Sequence, residues 1–172
     1  MIIFDKTRAL FILGVVFAYL VSGTAFAARS RREPIPVPGP GTTAWITINA
    51  TTGEVLGGQE PDRPGAPASM TKMMLAVLVM EAVKDDQLKL SDTVRTSRLA
   101  SKMGGSQAYL KEGETFSVEE MMAALLVGSA NDAAVALAER LAGSVSGAVQ
   151  RMNDRGAAMK LAATRFTSVH GL

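Results

Sequence analysis

The stretch that decides the fold is Pro67-Ala68-Ser69-Met70-Thr71-Lys72, which leads into an apolar run from Met73 to Met80. A run of this length predicts a helix that is apolar all round and is therefore buried. The loop at 61–67 contains three prolines, so the helix is expected to begin near Ser69. Residues three apart on a helix share one face, and the Ser69 hydroxyl and the Lys72 amine can therefore meet at hydrogen-bond distance.

The segments on either side predict an α+β chain. Upstream, two β-rich segments at 44–48 and 54–56 flank a Thr/Gly turn at 49–53, which predicts a hairpin. Downstream, Ser117-Val118-Glu119-Glu120 is a capping-box pattern that starts a helix. Capping residues and helix-ending glycines predict three helices after the first one, at 117–127, 131–142 and 144–160.

The N-terminus is typical of an exported protein. Lys6 and Arg8 precede an uncharged stretch that ends in Ala25-Phe26-Ala27, which predicts a signal peptide over residues 1–27. The alternative is a retained anchor, and with it membrane association, because about 20 apolar residues can span a bilayer. Proline at every second position from 33 to 41 then predicts an extended linker within residues 28–43. In both cases residues 44–172 are expected to lie outside the cytoplasm, in the periplasm or at the outer face of the cytoplasmic membrane.

Composition excludes several classes of partner. The net charge is only +2, with 20% charged residues, so there is no basic excess that would bind nucleic acid. The chain has no cysteine and a single histidine, His170. The residue types that usually hold zinc are therefore too few to predict a metal site.

Two short motifs could carry chemistry. A serine hydroxyl needs a base to become a good nucleophile, and Lys72 can be that base if burial lowers its pKa. By itself Ser-x-x-Lys favours a helix N-cap serine followed by a surface lysine, because serine and lysine are common and this spacing arises by chance. Ser129-Ala130-Asn131 lies between two predicted helices, where a hydroxyl and an amide would be held rigidly, although simple helix capping is an alternative.

With their surroundings these motifs resemble the serine D-Ala-D-Ala carboxypeptidases, the low-molecular-mass penicillin-binding proteins. The resemblance covers about 44–172 and includes Pro67 to Lys72, Gly104-Gly105-Ser106, Ser129-Ala130-Asn131-Asp132 and His170-Gly171-Leu172.

The resemblance implies both a fold and a reaction. The fold is the penicillin-binding and β-lactamase-like transpeptidase fold. Ser69 would attack the carbonyl between the two D-alanines of a peptidoglycan stem, and Lys72 would take its proton. Ser129 would pass a proton to the departing D-alanine, and Asn131 would bind the substrate backbone. Penicillins would acylate the same serine, and the resemblance implies no metal or cofactor.

The third motif of that family, Lys-Thr-Gly on a strand beside the site, does not occur in these 172 residues. The expected fold is therefore incomplete, with an N-terminal hairpin and a helical subdomain but without the C-terminal sheet strands. We expect the chain to be a fragment or a truncated gene product.

Three other interpretations remain. A class A β-lactamase shares the first two motifs, but Glu139 is the only glutamate after Asn131 and no Glu-x-x-x-Asn element follows. A triad hydrolase needs Gly-x-Ser-x-Gly, whereas the stretch from Gly104 to Ala108 ends in alanine, so His170 is interpreted as a turn or packing residue. The third interpretation is an inactive envelope fragment that binds cell-wall peptide.

Overall fold

The computed structural model describes residues 39 and 41–172. The predicted signal peptide and most of the predicted linker lie outside these residues. The chain divides into two compact units, with the division between Arg63 and Pro64. The first unit contains the hairpin, and the second contains the helices and every residue of the candidate site.

The hairpin of the first unit confirms the predicted strand pair. Strand β1 (Trp45–Ile48) pairs antiparallel with β2 (Val55–Gln59), and the Asn49 side chain accepts two backbone N–H groups within the turn. Strand β2 is longer than the predicted segment, because two glycines at 57 and 58 also pair with β1. Glycine has a low strand propensity, so the sequence did not predict this extension. At Gly58 a Cβ would lie only 3.1 Å from the Trp45 carbonyl oxygen.

Helix α1 (Lys72–Lys84) is the first long helix of the second unit and follows a short 3-10 helix at Ala68–Thr71. Leu75 and Val79 on one side are fully buried. The prediction that this helix is buried all round is wrong for the described residues. An exposed apolar stripe runs along the other side, formed by Met70, Met73, Val77 and Met80.

Three more helices surround the buried side of α1. They are α2 (Val118–Leu126), α3 (Asn131–Ala142) and α4 (Val145–Ala158), and each packs against α1. Helix α3 is central, because every residue from 131 to 138 is buried and its alanines allow close approach of the neighbouring backbones. Within residues 39 and 41–172, no helix has the length and hydrophobicity needed to cross a bilayer.

The predicted caps at Ser117, Gly143 and Ser144 are confirmed, whereas α2 and α4 end one and two residues before their predicted ends. Ser117 and Glu120 make both bonds of the capping box. Gly143 ends α3 with a left-handed φ of 74°, and the Ser144 hydroxyl caps α4 by accepting the Gly147 N–H. A second strand pair, β3 (Thr93–Arg95) with β4 (Thr115–Ser117), was not predicted, because three residues are too few to show an alternating pattern.

The segment after α4 returns to the start of α1. The Asn153 side chain holds it by accepting the Phe166 N–H at 2.8 Å and donating to the Phe166 carbonyl at 2.9 Å. The Ser168 hydroxyl accepts the Gly171 N–H at 2.8 Å. This path places the backbone of His170 and Gly171 beside the N-terminal end of α1.

Candidate active site

Lys72 is the centre of the candidate site. Its side chain is buried, and its Nζ donates to Ser69 Oγ at 3.0 Å, to Ser129 Oγ at 3.3 Å and to the His170 carbonyl at 3.4 Å. Three acceptors match the three donors of an ammonium group. Burial nevertheless disfavours the charge and lowers the pKa of Lys72 below 10.5. The amine is therefore easier to deprotonate than an ordinary lysine.

Ser69 lies in the 3-10 helix and is an exposed residue, whereas its partner Lys72 is buried. The residue before it, Ala68, has a φ of 48°. A non-glycine residue in the left-handed region costs of order 1 kcal/mol and persists only where its surroundings hold it. The sharp turn at Ala68 leads the chain into the first turn of the helix with Ser69 accessible.

Ser129 lies in the turn between α2 and α3. The prediction that Gly128 ends α2 is only partly right, because Ser129 and not Gly128 has the left-handed φ, at 53°. Gly128 is needed for a different reason, since a Cβ there would lie 3.0 Å from the Ala124 carbonyl oxygen. The turn brings Ser129 to Lys72 across 57 residues of sequence.

Asn131 opens α3 and contacts the loop at 104–110 rather than the Ser69 and Lys72 pair. Its Nδ2 donates to the Gly104 carbonyl at 2.7 Å, and its backbone N–H donates to the Ser106 carbonyl at 2.8 Å. The structure thus joins Ser69, Lys72 and Ser129 by direct hydrogen bonds. Asn131 lies two residues further along the same turn, without a hydrogen bond to that group among the described residues.

Two residues of the site were missed as site residues by reasoning from the sequence. His170 was interpreted as a turn or packing residue, and its ring does accept the Leu172 N–H at 3.1 Å through Nδ1. Its carbonyl, however, is the third partner of Lys72. Burial, followed by the positive charge of Lys72, lowers the pKa of His170. A Cβ on Gly171 would overlap the carbonyl of Ala68. Only the family resemblance pointed to this segment, since a backbone carbonyl has no side-chain signature.

Nothing in the described part of the chain groups three or more metal-ligating side chains together. The chemistry available from the described residues is that of a hydroxyl beside an amine of lowered pKa. That pair suits nucleophilic catalysis by serine.

Comparison with known proteins identifies the family. The family model for D-alanyl-D-alanine carboxypeptidases, Peptidase_S11, matches residues 37–172. The chain belongs to this carboxypeptidase family. It is 42% identical over 127 residues to the D-alanyl-D-alanine carboxypeptidase DacF of Bacillus subtilis. The aligned region covers 74% of this chain and 33% of DacF.

Solved carboxypeptidase structures share the fold. The D-alanyl-D-alanine carboxypeptidase DacD from Francisella tularensis superposes with a TM-score of 0.75 at 32% identity, covering 81% of this chain and 33% of DacD. The ampicillin-bound penicillin-binding protein D2 from Listeria monocytogenes gives a TM-score of 0.65 at 33% identity, covering 76% of this chain and 52% of D2. These matches confirm the predicted α+β fold of the penicillin-binding proteins and its partial extent. The chain spans less than half of the length of curated carboxypeptidases such as DacF.

Proposed function

We propose that this chain supplies the nucleophile half of a penicillin-sensitive serine D-Ala-D-Ala carboxypeptidase. The reaction removes the terminal D-alanine from peptidoglycan stem peptides through an acyl-enzyme. The proposal is carried by the 3.0 Å contact between the hydroxyl of Ser69, an exposed residue, and the amine of buried Lys72.

The first step is attack by Ser69. The neutral Lys72 amine accepts the hydroxyl proton while Oγ bonds to the carbonyl carbon between the two D-alanines. The new ammonium is 3.3 Å from Ser129 Oγ and gives its proton to Ser129. The Ser129 hydroxyl passes its own proton to the nitrogen of the departing D-alanine as the C–N bond breaks, and Lys72 returns to the neutral amine. An ester on Ser69 remains, and attack by water then releases the shortened peptide and restores the hydroxyl.

Substrate binding is assigned to Asn131 and to backbone donors. Asn131 binds the peptide backbone of the stem, and the Ser69 N–H, near the start of α1, stabilises the oxyanion. The family's Lys-Thr-Gly strand, which would bind the substrate carboxylate and add a second oxyanion donor, is not within these residues. Loss of one such donor lowers hydrolase rates by about 10²–10³. We therefore expect slow turnover from these residues alone, with acylation as the more sensitive readout.

The β-lactams are proposed as ligands of the same serine. The relative from Listeria monocytogenes was solved in an ampicillin-bound form, and the strained amide of a penicillin resembles the D-Ala-D-Ala terminus. A cell-wall substrate also fits an exported protein. We accordingly propose a periplasmic position or one on the outer face of the cytoplasmic membrane, supported by the apolar N-terminal run that ends at Ala27.

A fluorescent penicillin tests the proposal. Wild-type protein should acquire a covalent label, and Ser69→Ala should acquire none. Lys72→Arg should slow labelling by about 10²–10⁴, because a guanidinium cannot accept the proton. Labelling of the wild type should accelerate as the pH rises through the lowered pKa of Lys72.

The matched control is Lys84→Arg, the same substitution on an exposed lysine at the other end of α1. It should label like the wild type. A wild type that stays unlabelled, or label that survives in Ser69→Ala, would contradict the proposal and favour a non-catalytic fragment.

A further inference from the structure

We propose that Asp132 is a positioning residue whose buried carboxylate holds the loop 104–110 against Asn131. The inference depends on the proposed function only for the substrate-binding role of Asn131. The contact itself can be tested without any activity.

Among residues 41–172, every hydrogen-bond donor to the carboxylate of Asp132 is a backbone amide. Its side chain is 2% exposed. The Ala108 N–H donates to both oxygens at 3.0 and 3.1 Å, the Leu110 N–H donates to Oδ2 at 3.0 Å, and the Ala133 N–H donates to Oδ1 at 2.9 Å. No salt bridge to Asp132 occurs within residues 41–172. A buried charge requires such compensation, and the N-terminal end of α3 adds to it.

These bonds hold a strained loop. Tyr109 lies between the two bound amides, has a φ of 58° and is 81% exposed. The Tyr109 side chain is therefore too exposed to hold its own backbone in the left-handed region by packing. Successive N–H groups around a left-handed residue form a concave anion-binding nest. Here the anion is the Asp132 carboxylate, and its hydrogen bonds from the Ala108 and Leu110 amides on either side of Tyr109 keep the loop in this conformation.

The other end of the same loop holds the Asn131 side chain. Nδ2 of Asn131 donates to the Gly104 carbonyl, and a Cβ on Gly105 would come within 2.8 Å of that nitrogen. The amide nitrogen is thus engaged by the loop, while no donor from the described residues bonds to Oδ1. The oxygen is left to accept a substrate N–H. Because Asp132 anchors the far side of the loop, it sets the orientation of the neighbouring Asn131 amide.

Nuclear magnetic resonance of Asp132→Asn in the full chain tests this role. An asparagine turns one acceptor into a donor that faces backbone N–H groups. The amides of Ala108 and Leu110 should exchange about ten- to a hundredfold faster. The Asn131 side-chain NH₂ resonances should shift, while amides within α4 keep their exchange rates. The control Asp154→Asn removes the same charge from an exposed site and should change neither readout.

Three results would overturn the inference. They are unchanged loop exchange, faster exchange to the same extent in α4, and an Asn131 side-chain signal that does not move. If the variant does not fold, the wild type should still show scalar coupling between the Ala108 nitrogen and the Asp132 carboxylate carbon, transmitted through the hydrogen bond from the Ala108 N–H to the carboxylate oxygens. The absence of this coupling would count against the inference.

Penicillin labelling separates this inference from the proposed function. Folded Asp132→Asn should be acylated about ten- to a hundredfold more slowly than the wild type. A faster-exchanging loop with an unchanged acylation rate would make Asp132 a purely structural residue. A wild type that does not react at all would contradict the proposed function, and the Asn131 signal would then decide the positioning role by itself.

Discussion

Replacing Gly171 by alanine should displace the segment that supplies a carbonyl to Lys72. Gly171 has a φ of 85°, and an added Cβ would overlap the carbonyl carbon and oxygen of Ala68. Both overlapping atoms belong to the backbone, so no side chain can rotate away. Either the segment at 170–172 moves away from Lys72, or the turn that presents Ser69 shifts.

The magnitude follows from two contributions. A left-handed conformation costs an alanine about 1–2 kcal/mol relative to a glycine. Overpacking against fixed atoms adds about 1–3 kcal/mol. The sum predicts that Gly171→Ala lowers the free energy of unfolding by about 2–5 kcal/mol. Gly143→Ala is the matched control, because its φ of 74° carries the first cost but a Cβ there meets nothing within 4 Å.

Urea unfolding followed by circular dichroism measures both variants, and penicillin labelling reports on the site. Gly143→Ala should lose about 1–2 kcal/mol and keep its labelling rate. Gly171→Ala should lose more stability and label more slowly, because the Lys72 to His170 contact is disturbed. Equal losses of stability, within about 0.5 kcal/mol, would show that small movements relieve the overlap, contrary to this prediction.

Three further predictions use the same unfolding measurement. Ser117→Ala should cost about 1 kcal/mol by removing the hydroxyl that caps α2, and an unchanged stability would contradict the cap. Burial lowers the pKa of His170 below 6.5, so the unfolded state binds its proton first. The free energy of unfolding of the wild type should therefore fall as the pH drops below about 6.5. Between pH 7.5 and about 5, His170→Gln should lose less of this free energy than the wild type does. Equal losses in the two proteins would contradict the prediction. Met73 is 63% exposed, so Met73→Ser should change the free energy of unfolding by less than about 0.5 kcal/mol. Leu75 is fully buried, so Leu75→Ala should lower it by about 2–5 kcal/mol. Similar costs would show that the exposed stripe is covered.

The local elements of this protein can be predicted from short stretches of its sequence. The capping box at Ser117, the left-handed end at Gly143 and the Asn49 turn all depend on residues within about four positions of one another. The closeness of Ser69 to Lys72 belongs to the same class, because three residues of helical backbone bring the two side chains to one face. Motif spacing and the family resemblance then indicated the fold and the reaction class.

The contacts between groups far apart in the sequence depend on how the helices and loops pack. Lys72 contacts Ser129 across 57 residues and the His170 carbonyl across 98, and Asp132 binds a loop more than 20 residues earlier in the chain. Backbone carbonyls and amides are chemically the same at almost every position, so no residue type marks the ones that a site uses. Likewise, α1 has no polar stripe to show which of its apolar faces is covered. That choice depends on how the other helices pack, and sequence periodicity does not record it.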